Sequence, residues 1–293
     1  MFSVHRIASL DLPELAPYRT LKRSAEHEAL GIFVAEGDKV VRRLLASSFG
    51  VSSVLLLEKR RAEFEPLLRA RTEPDIPVYV ATDKAILEEL IGFELFQGVL
   101  AIGKIPAPPT LETVFAASAP PRFFVALDEL CNAENIGALV RNCAAFGVQA
   151  LLVGETSSSP FLRRSVRNSM GAIFQLPVVE LNQQRSKLAD PTQPRRRDEP
   201  KVTLVETLQE LRAHGVRCVA AHPHTSGRTL SQADFSGDCC VVFGSEGHGI
   251  SEAVLAACDE AVAIPRANDV DSLNVGAAAA AFLYEVNRQR GKS

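Results

Sequence analysis

Three polar clusters in the C-terminal half hold the residues able to do chemistry. The first is Asp128-Glu-Leu-Cys-Asn-Ala-Glu-Asn135-Ile-Gly137-Ala-Leu-Val-Arg141-Asn. A strand pattern ends at Asp128. Asn135 stands where a helix should begin, and Arg141 projects from that helix about one and a half turns on. Taken alone, Asn135 serves equally well as a helix cap, Gly137 as a packing residue and Arg141 as a surface charge. The second cluster is Val241-Val-Phe-Gly244-Ser-Glu246-Gly247-His-Gly249-Ile-Ser251, where a buried strand meets three glycines and a lone carboxylate. Glycines there expose backbone amides and carbonyls to a ligand. The third runs from an apolar strand end at Ile264 through Asp271, Ser272, Leu273 and Asn274 into an alanine-rich helix. Capping that helix needs only one small polar residue. None of the three clusters offers a His, Cys or carboxylate pair suited to ordinary acid–base or metal chemistry. A reaction that depends on positioning fits them better. None is a dinucleotide fingerprint, a phosphate loop or a hydrolase elbow.

The elements that must position these residues alternate between strand and helix. Phe123 to Leu127, Ala150 to Val153, Val178 to Leu181, Val216 to Ala221, Cys240 to Phe243 and Ala261 to Ile264 read as strands. Ile136 to Phe146, Val205 to His214, Glu252 to Ala257 and the stretch after Asn274 read as helices. Gly147 fits a left-handed helix end. Strands and helices this close imply parallel βαβ units, with ligands at the strand ends. Upstream, Gly31 to Ala35, Ser53 to Leu57, Ile76 to Val80 and Gly98 to Ile102 form a smaller sheet. Helices over Asp38 to Phe49, with Val40, Val41, Leu44 and Leu45 on one face, and over Ala62 to Ala70 complete it. The boundaries are therefore a first domain over 1–105, a Pro/Ala-rich linker over 106–121 and a second domain over 122–293. Segment 182–200 is polar and aperiodic and reads as an insertion, its Arg195-Arg-Arg run as a solvated loop.

Composition narrows the class. Hydrophobic residues make up 46 % of the 293, ample for ordinary cores. No apolar run approaches the roughly 20 residues of a membrane helix. Asp11 and Glu14 interrupt any signal-peptide pattern, so a cytoplasmic protein is expected. The six cysteines lack metal-ligand or C-x-x-C spacing and read as buried free thiols, with no metal expected. The net charge of −3 excludes a bulk-basic nucleic-acid binder, so any RNA contact must use local patches.

The order N-x-G-A-x-x-x-R, then F-G-S-E-G-H-G-I-S, then I-P followed by S-L-N-V, resembles the SpoU (TrmH-like) branch of the SPOUT methyltransferases. Arg164-Ser-Val-Arg-Asn-Ser-Met-Gly-Ala-Ile-Phe is similar to the segment between that family's first two motifs. Gly31-Ile-Phe-Val-Ala-Glu-Gly and Phe96-Gln-Gly-Val are similar to its small RNA-binding domain of ribosomal L30-like type. The resemblance implies an α/β protein with a parallel sheet and a deep trefoil knot in the C-terminal domain, preceded by the L30-like domain. It implies S-adenosylmethionine as methyl donor, a ribose 2′-hydroxyl of RNA as acceptor, and a homodimer with active sites at the interface. Carried over by motif position, Gly244, Gly247, Ile264 and Leu273 contact the donor, with Ala221 and His222 as lesser candidates. Arg141 is the key catalytic position, binding the RNA phosphate and activating the hydroxyl through it, with direct base action as the rival. Asn135 orients Arg141 or the ribose, Glu246 holds the motif loops together, and Ser272 and Asn274 complete the pocket. RNA contacts are expected around Arg19, Lys22, Arg23, Arg163, Arg164 and Arg167, and the two-domain form favours rRNA over tRNA. Gly276 departs from the family, which often carries Ser there. A non-catalytic RNA-binding or ribosome-assembly factor on the same fold is the alternative. A nucleotide-dependent α/β enzyme of another class requires a phosphate-binding loop that the sequence lacks.

Overall fold

The computed structural model describes residues 2–91, 98–183, 202–223, 227–268 and 271–291. Phe96 and Gln97 of the N-terminal resemblance, and residues 184–200 of the insertion, lie outside them. The chain divides into two compact units. One comprises Met1–Ala107 with Pro160–Gln175, the other Pro108–Ser159 with Leu176–Ser293.

The first unit is built on β1 (Phe2–Ile7), β2 (Ile32–Glu36), β3 (Val51–Leu57), β4 (Ile76–Ala81) and β5 (Val99–Lys104). Their order in the sheet is β1-β4-β3-β5-β2, parallel at β1/β4 and β3/β4 and antiparallel at the two β5 pairings. Around it lie α1 (Ala16–Arg19), α2 (Ser24–Ala29), α3 (Asp38–Leu45), α4 (Arg61–Arg69) and α5 (Lys84–Ile91). Val40, Val41, Leu44 and Leu45 are buried along α3, so their spacing does mark the core-facing stripe, although the helix ends at Leu45 and not Phe49. β1 has no signal in the sequence because it is an edge strand with mostly exposed residues.

By its contacts segment 160–175 groups with the first unit, whereas the sequence reading keeps it in the second domain. Phe161 and Phe174 stack with Phe33 and Phe49, with ring centroids 5.3–6.1 Å apart. The short helix within the segment, Arg163–Asn168, reaches Glu36 at the end of β2 through Arg163 at 2.7 Å and Arg167 at 3.2 Å. Aromatic burial and a charge pair thus recruit a stretch that lies far along the chain.

The second unit carries a sheet of seven parallel strands. They are β6 (Phe123–Leu127), β7 (Ala150–Val153), β8 (Val178–Glu180), β9 (Arg217–Ala221), β10 (Arg228–Thr229), β11 (Cys239–Phe243) and β12 (Glu260–Ala263), in the order β10-β12-β9-β11-β6-β7-β8. Every residue of β6, β7 and β11 is buried, as expected where helices cover both faces of a parallel sheet. Numbering the helices onward, α6 is Leu111–Ala117, α7 Ala133–Ala145, α8 the Arg163–Asn168 helix already described, α9 Leu204–Ala213, α10 Glu252–Ala257 and α11 Val275–Gln289. A capping box between Thr203 and Glu206 starts α9. Gly147, at φ +71°, follows the end of α7 in the expected left-handed conformation. Chain order diverges at β6: one branch continues to β7 and β8, while β11 and β9 lie on its other side. Ligands favour such a switch point, at the carboxyl ends of the strands.

Candidate functional site

At the carboxyl ends of β9, β11 and β12 lies a cavity of about 500 Å³. Ala221 leads out of β9, Gly244, Glu246 and Gly247 follow β11, and Ile264 follows β12; all five line it. Ser272, Leu273 and Asn274 close one side just before α11. Thus all six residues expected at the donor, His222 among them, and three of the five expected to be catalytic, face one space. The sequence reading missed Phe243 and Phe282 at its apolar wall and Arg266 among its charged groups, while Asp271 of the third cluster does line it.

The loop after β11 closes by two hydrogen bonds, from Ser245 N to Gly249 O at 2.9 Å and from Gly249 N to Ser245 O at 3.0 Å. The turn presses Gly249 and Ile250 onto Gly244. A Cβ on Gly244 would lie 2.2 Å from the Gly249 carbonyl carbon. The turn holds Glu246 out at its exposed tip.

Glu246 joins the other two motifs through one chain of hydrogen bonds. Asn135 Nδ2 donates to Glu246 Oε1. Asn135 Oδ1 accepts from Asn274 Nδ2 at 3.0 Å, and Asn274 Oδ1 accepts from Gly276 N at 2.9 Å. The chemistry fixes both amide orientations. A backbone N–H only donates and an ionised carboxylate only accepts, so the two amides between them can point only one way. Asn274 is also the N-cap of α11. Asn135 caps nothing: α7 begins earlier than expected, and Asn132 takes the cap, accepting from the amides of Glu134 and Asn135. That leaves the Asn135 side chain for the site.

The same face of α7 holds the start of α11. Asn142 donates to Gly276 O at 2.7 Å. A Cβ on Gly276 would stand 3.3 Å from Ala138 Cβ and 3.1 Å from Asn274 Oδ1. Glycine at 276 therefore suits a tight contact, and it serves the network through its backbone groups, which need no hydroxyl. A second link escaped the sequence reading. Asp128, buried at the end of β6, accepts from Ser251 N at 2.7 Å and ties the first motif to the start of α10.

Arg141 stands apart from this network. Six residues beyond Asn135, it points to a different side of α7. It is exposed, lies outside the cavity lining and makes no hydrogen bond or ion pair among the described residues. The structure thus does not bring Arg141 to Asn135.

The residues expected to meet RNA fall in the first unit and differ in how free they are. Arg19 donates to the carbonyls of Leu10 and Leu12, Arg23 pairs with Glu26 at 3.0 Å, and Arg163 and Arg167 share Glu36. Lys22 and Arg164 are exposed and have no such partner among the described residues.

Burial pushes the Cys239 thiol up to about 11 and Cys258 to about 12, and raises Cys143 further. A hydrogen bond with Cys218, followed by burial, raises Cys240. All six cysteines are free, but Cys131 is exposed, contrary to the expectation of burial. Among the described residues no cluster of His, Cys, Asp or Glu could hold a metal, and no helix is long and apolar enough to cross a membrane.

A parallel α/β sheet with a cavity at its strand ends, closed by loops that one amide network locks together, defines a class of ligand-binding α/β protein. The model of the SpoU rRNA Methylase family matches residues 122–194 and 200–284, and the chain belongs to that family. It is 31 % identical over 294 aligned positions to an uncharacterized tRNA/rRNA methyltransferase of Mycobacterium tuberculosis, spanning 97 % of this chain and 92 % of that protein. The fold matches an AdoMet-bound rRNA methyltransferase from Sinorhizobium meliloti at a TM-score of 0.77 and 21 % identity, over 97 % of this chain and 98 % of that one. It also matches the SpoU methyltransferase AviRb from Streptomyces viridochromogenes in complex with AdoMet, at 0.74 and 23 %, over 95 % and 100 %.

Proposed function

We propose that this protein transfers a methyl group from S-adenosylmethionine to a ribose 2′-hydroxyl of structured RNA, rRNA rather than tRNA. The observation that carries the proposal is the Glu246–Asn135–Asn274 network, which locks the three motif segments around one strand-end cavity. The cavity suits the donor. Its volume of about 500 Å³ lies in the range of small-molecule sites, and its wall combines apolar surface from Phe243, Val262, Leu273 and Phe282 with a few polar groups. Gly244, Ile264 and Leu273 would hold the donor, with Ala221 and Gly247 at its edge. When bound, S-adenosylmethionine supplies an electrophilic methyl group on a sulfonium.

The protein's own residues do the positioning. Asn135 and Glu246 hold the second-motif turn in place, while Asn274 and Ser272 define the rim where the ribose enters. Arg141, charged at any working pH, is a poor proton acceptor and a good phosphate ligand. It binds an RNA phosphate and activates the hydroxyl through it. Because Arg141 lies outside its own cavity, we place it at the cavity of a second copy, in a homodimer formed through α7 and α11. The exposed Tyr284 on α11 and the exposed Leu273 before it support that face. Lys22 and Arg164 contact RNA phosphates from an L30-like first unit. The return of α11 onto α7 after β12 supports the trefoil knot. A cytoplasmic location fits an RNA-modifying enzyme.

The test is transfer of labelled methyl from S-adenosylmethionine to separate rRNA and tRNA pools, followed by nuclease mapping. Label on a ribose 2′-oxygen in rRNA is expected. Label on a base contradicts the ribose assignment, and label confined to tRNA contradicts the substrate.

A further inference from the structure

One charged side chain in the cavity wall takes no part in the motif network. Arg266 follows Ile264 and Pro265 out of β12 and is the one Lys or Arg among the described lining residues. Its Nη2 donates to the Pro223 carbonyl at 2.7 Å, which anchors the guanidinium against the segment leaving β9. Its Nη1 is buried and has no hydrogen-bond partner among the described residues. A charged donor shielded from water and left unpaired costs more than a neutral one, and native proteins rarely leave one so. The missing partner must be an acceptor, and for a guanidinium the best is an anion with two oxygens.

We propose that Arg266 holds the carboxylate of the methyl donor's amino-acid moiety. The inference rests on the donor reading above and deepens it. That moiety carries both signs of charge, and the wall carries both as well: Arg266 on one side, Glu246 and Asp271 as carboxylates elsewhere. Nη1 is enclosed in the free protein, so the contact forms as the guanidinium turns about its Pro223 hydrogen bond. An RNA phosphate is the poorer match. Phosphates meet exposed cations, and Arg141, Lys22 and Arg164 are exposed and unpaired among the described residues, whereas Nη1 is buried.

Binding measured by calorimetry tests this with two probes. S-adenosylhomocysteine carries the carboxylate, and methylthioadenosine lacks the whole amino-acid moiety. Arg266→Gln is expected to weaken S-adenosylhomocysteine about tenfold or more, the size of a lost charge-assisted hydrogen bond. Methylthioadenosine should bind it as it binds wild type, which also shows that the pocket is folded. Arg266→Lys should recover part of the loss. A comparison on wild type alone needs no variant: decarboxylated S-adenosylmethionine should bind about tenfold more weakly than S-adenosylmethionine. Equal losses for both probes, or no loss for S-adenosylhomocysteine, overturn the proposal. Retained S-adenosylhomocysteine binding with weakened RNA binding overturns it in favour of a phosphate contact. If wild type binds none of these compounds, the donor reading itself falls, a result distinct from failure of the Arg266 comparison.

Discussion

At the scale of single residues, Asn274 has two duties, and they separate by experiment. Its Oδ1 caps α11 and its Nδ2 orients Asn135. Asn274→Asp keeps a cap but removes the amide donor. It also sets a carboxylate against the Asn135 carbonyl oxygen, so Asn135 must flip and lose Glu246. The melting temperature should hold within a few degrees, since N-cap residues of either type differ little, while methyl transfer falls about tenfold or more. Asn274→Ala loses both duties and costs about 1 kcal/mol of stability as well. Equal activity in Asn274→Asp and wild type would show that the network does not matter to the reaction. Sequence alone could not give this wiring. It offered Asn135 as the cap, whereas α7 starts at Ala133 and Asn132 caps it, a shift of less than one helical turn. Arg266 was passed over for a different reason: only the fold shows that the residue after the Ile-Pro step returns to the cavity wall.

At the scale of elements, two contacts decide how segments are held. Gly244 lets the turn after β11 close on itself. Gly244→Ala puts a methyl group within 2.2 Å of backbone at Gly249, and backbone cannot rotate away. The turn must open, at a cost of about 1–3 kcal/mol or more, and S-adenosylmethionine binding should be lost. Unchanged affinity by calorimetry would contradict this account. Glu36 fastens α8 to the end of β2 and is itself 8 % exposed. Glu36→Gln should cost about 1–3 kcal/mol, below the figure for a fully buried pair because the Arg167 side chain is half exposed. Hydrogen exchange over residues 160–175 should speed up accordingly, and unchanged protection there would show that the phenylalanine cluster alone holds the segment. Apart from the edge strands β1 and β10, the strands and most helices were legible because their apolar periods are strong. The home of 160–175 was not, since a short amphipathic stretch does not say which core it joins.

At the scale of the whole molecule, acid should loosen the first unit before it affects carboxylates. Burial holds His27 below the ordinary histidine value, outweighing the Pro17 carbonyl and the Glu26 charge that raise it, with a smaller push down from Arg163. The unfolded chain therefore takes up this proton more readily than the folded one. Stability is complete above the ordinary pKa of about 6.5 and declines as pH falls below it. Melting of wild type should fall more steeply with acid over that window than melting of His27→Gln, and parallel curves would contradict the assignment. The proposed dimer makes its own prediction. Gly244→Ala removes the donor site and Arg141→Ala the proposed phosphate ligand, so each alone should be inactive. Subunits exchanged between the two should recover about a quarter of wild-type activity, because half the dimers are mixed and each mixed dimer has one intact site. No recovery would place Arg141 and the cavity in the same subunit.

The most direct test is Arg141→Ala, assayed for methyl transfer to RNA and for its melting temperature together. Arg141 is exposed and unpaired among the described residues, so its loss should leave stability within about 0.5 kcal/mol of wild type. Transfer to the ribose should fall about a hundredfold or more, while S-adenosylmethionine binding persists. Transfer at the wild-type rate by the stable variant would contradict the account, and the chemistry would have to be sought among the residues of the cavity itself.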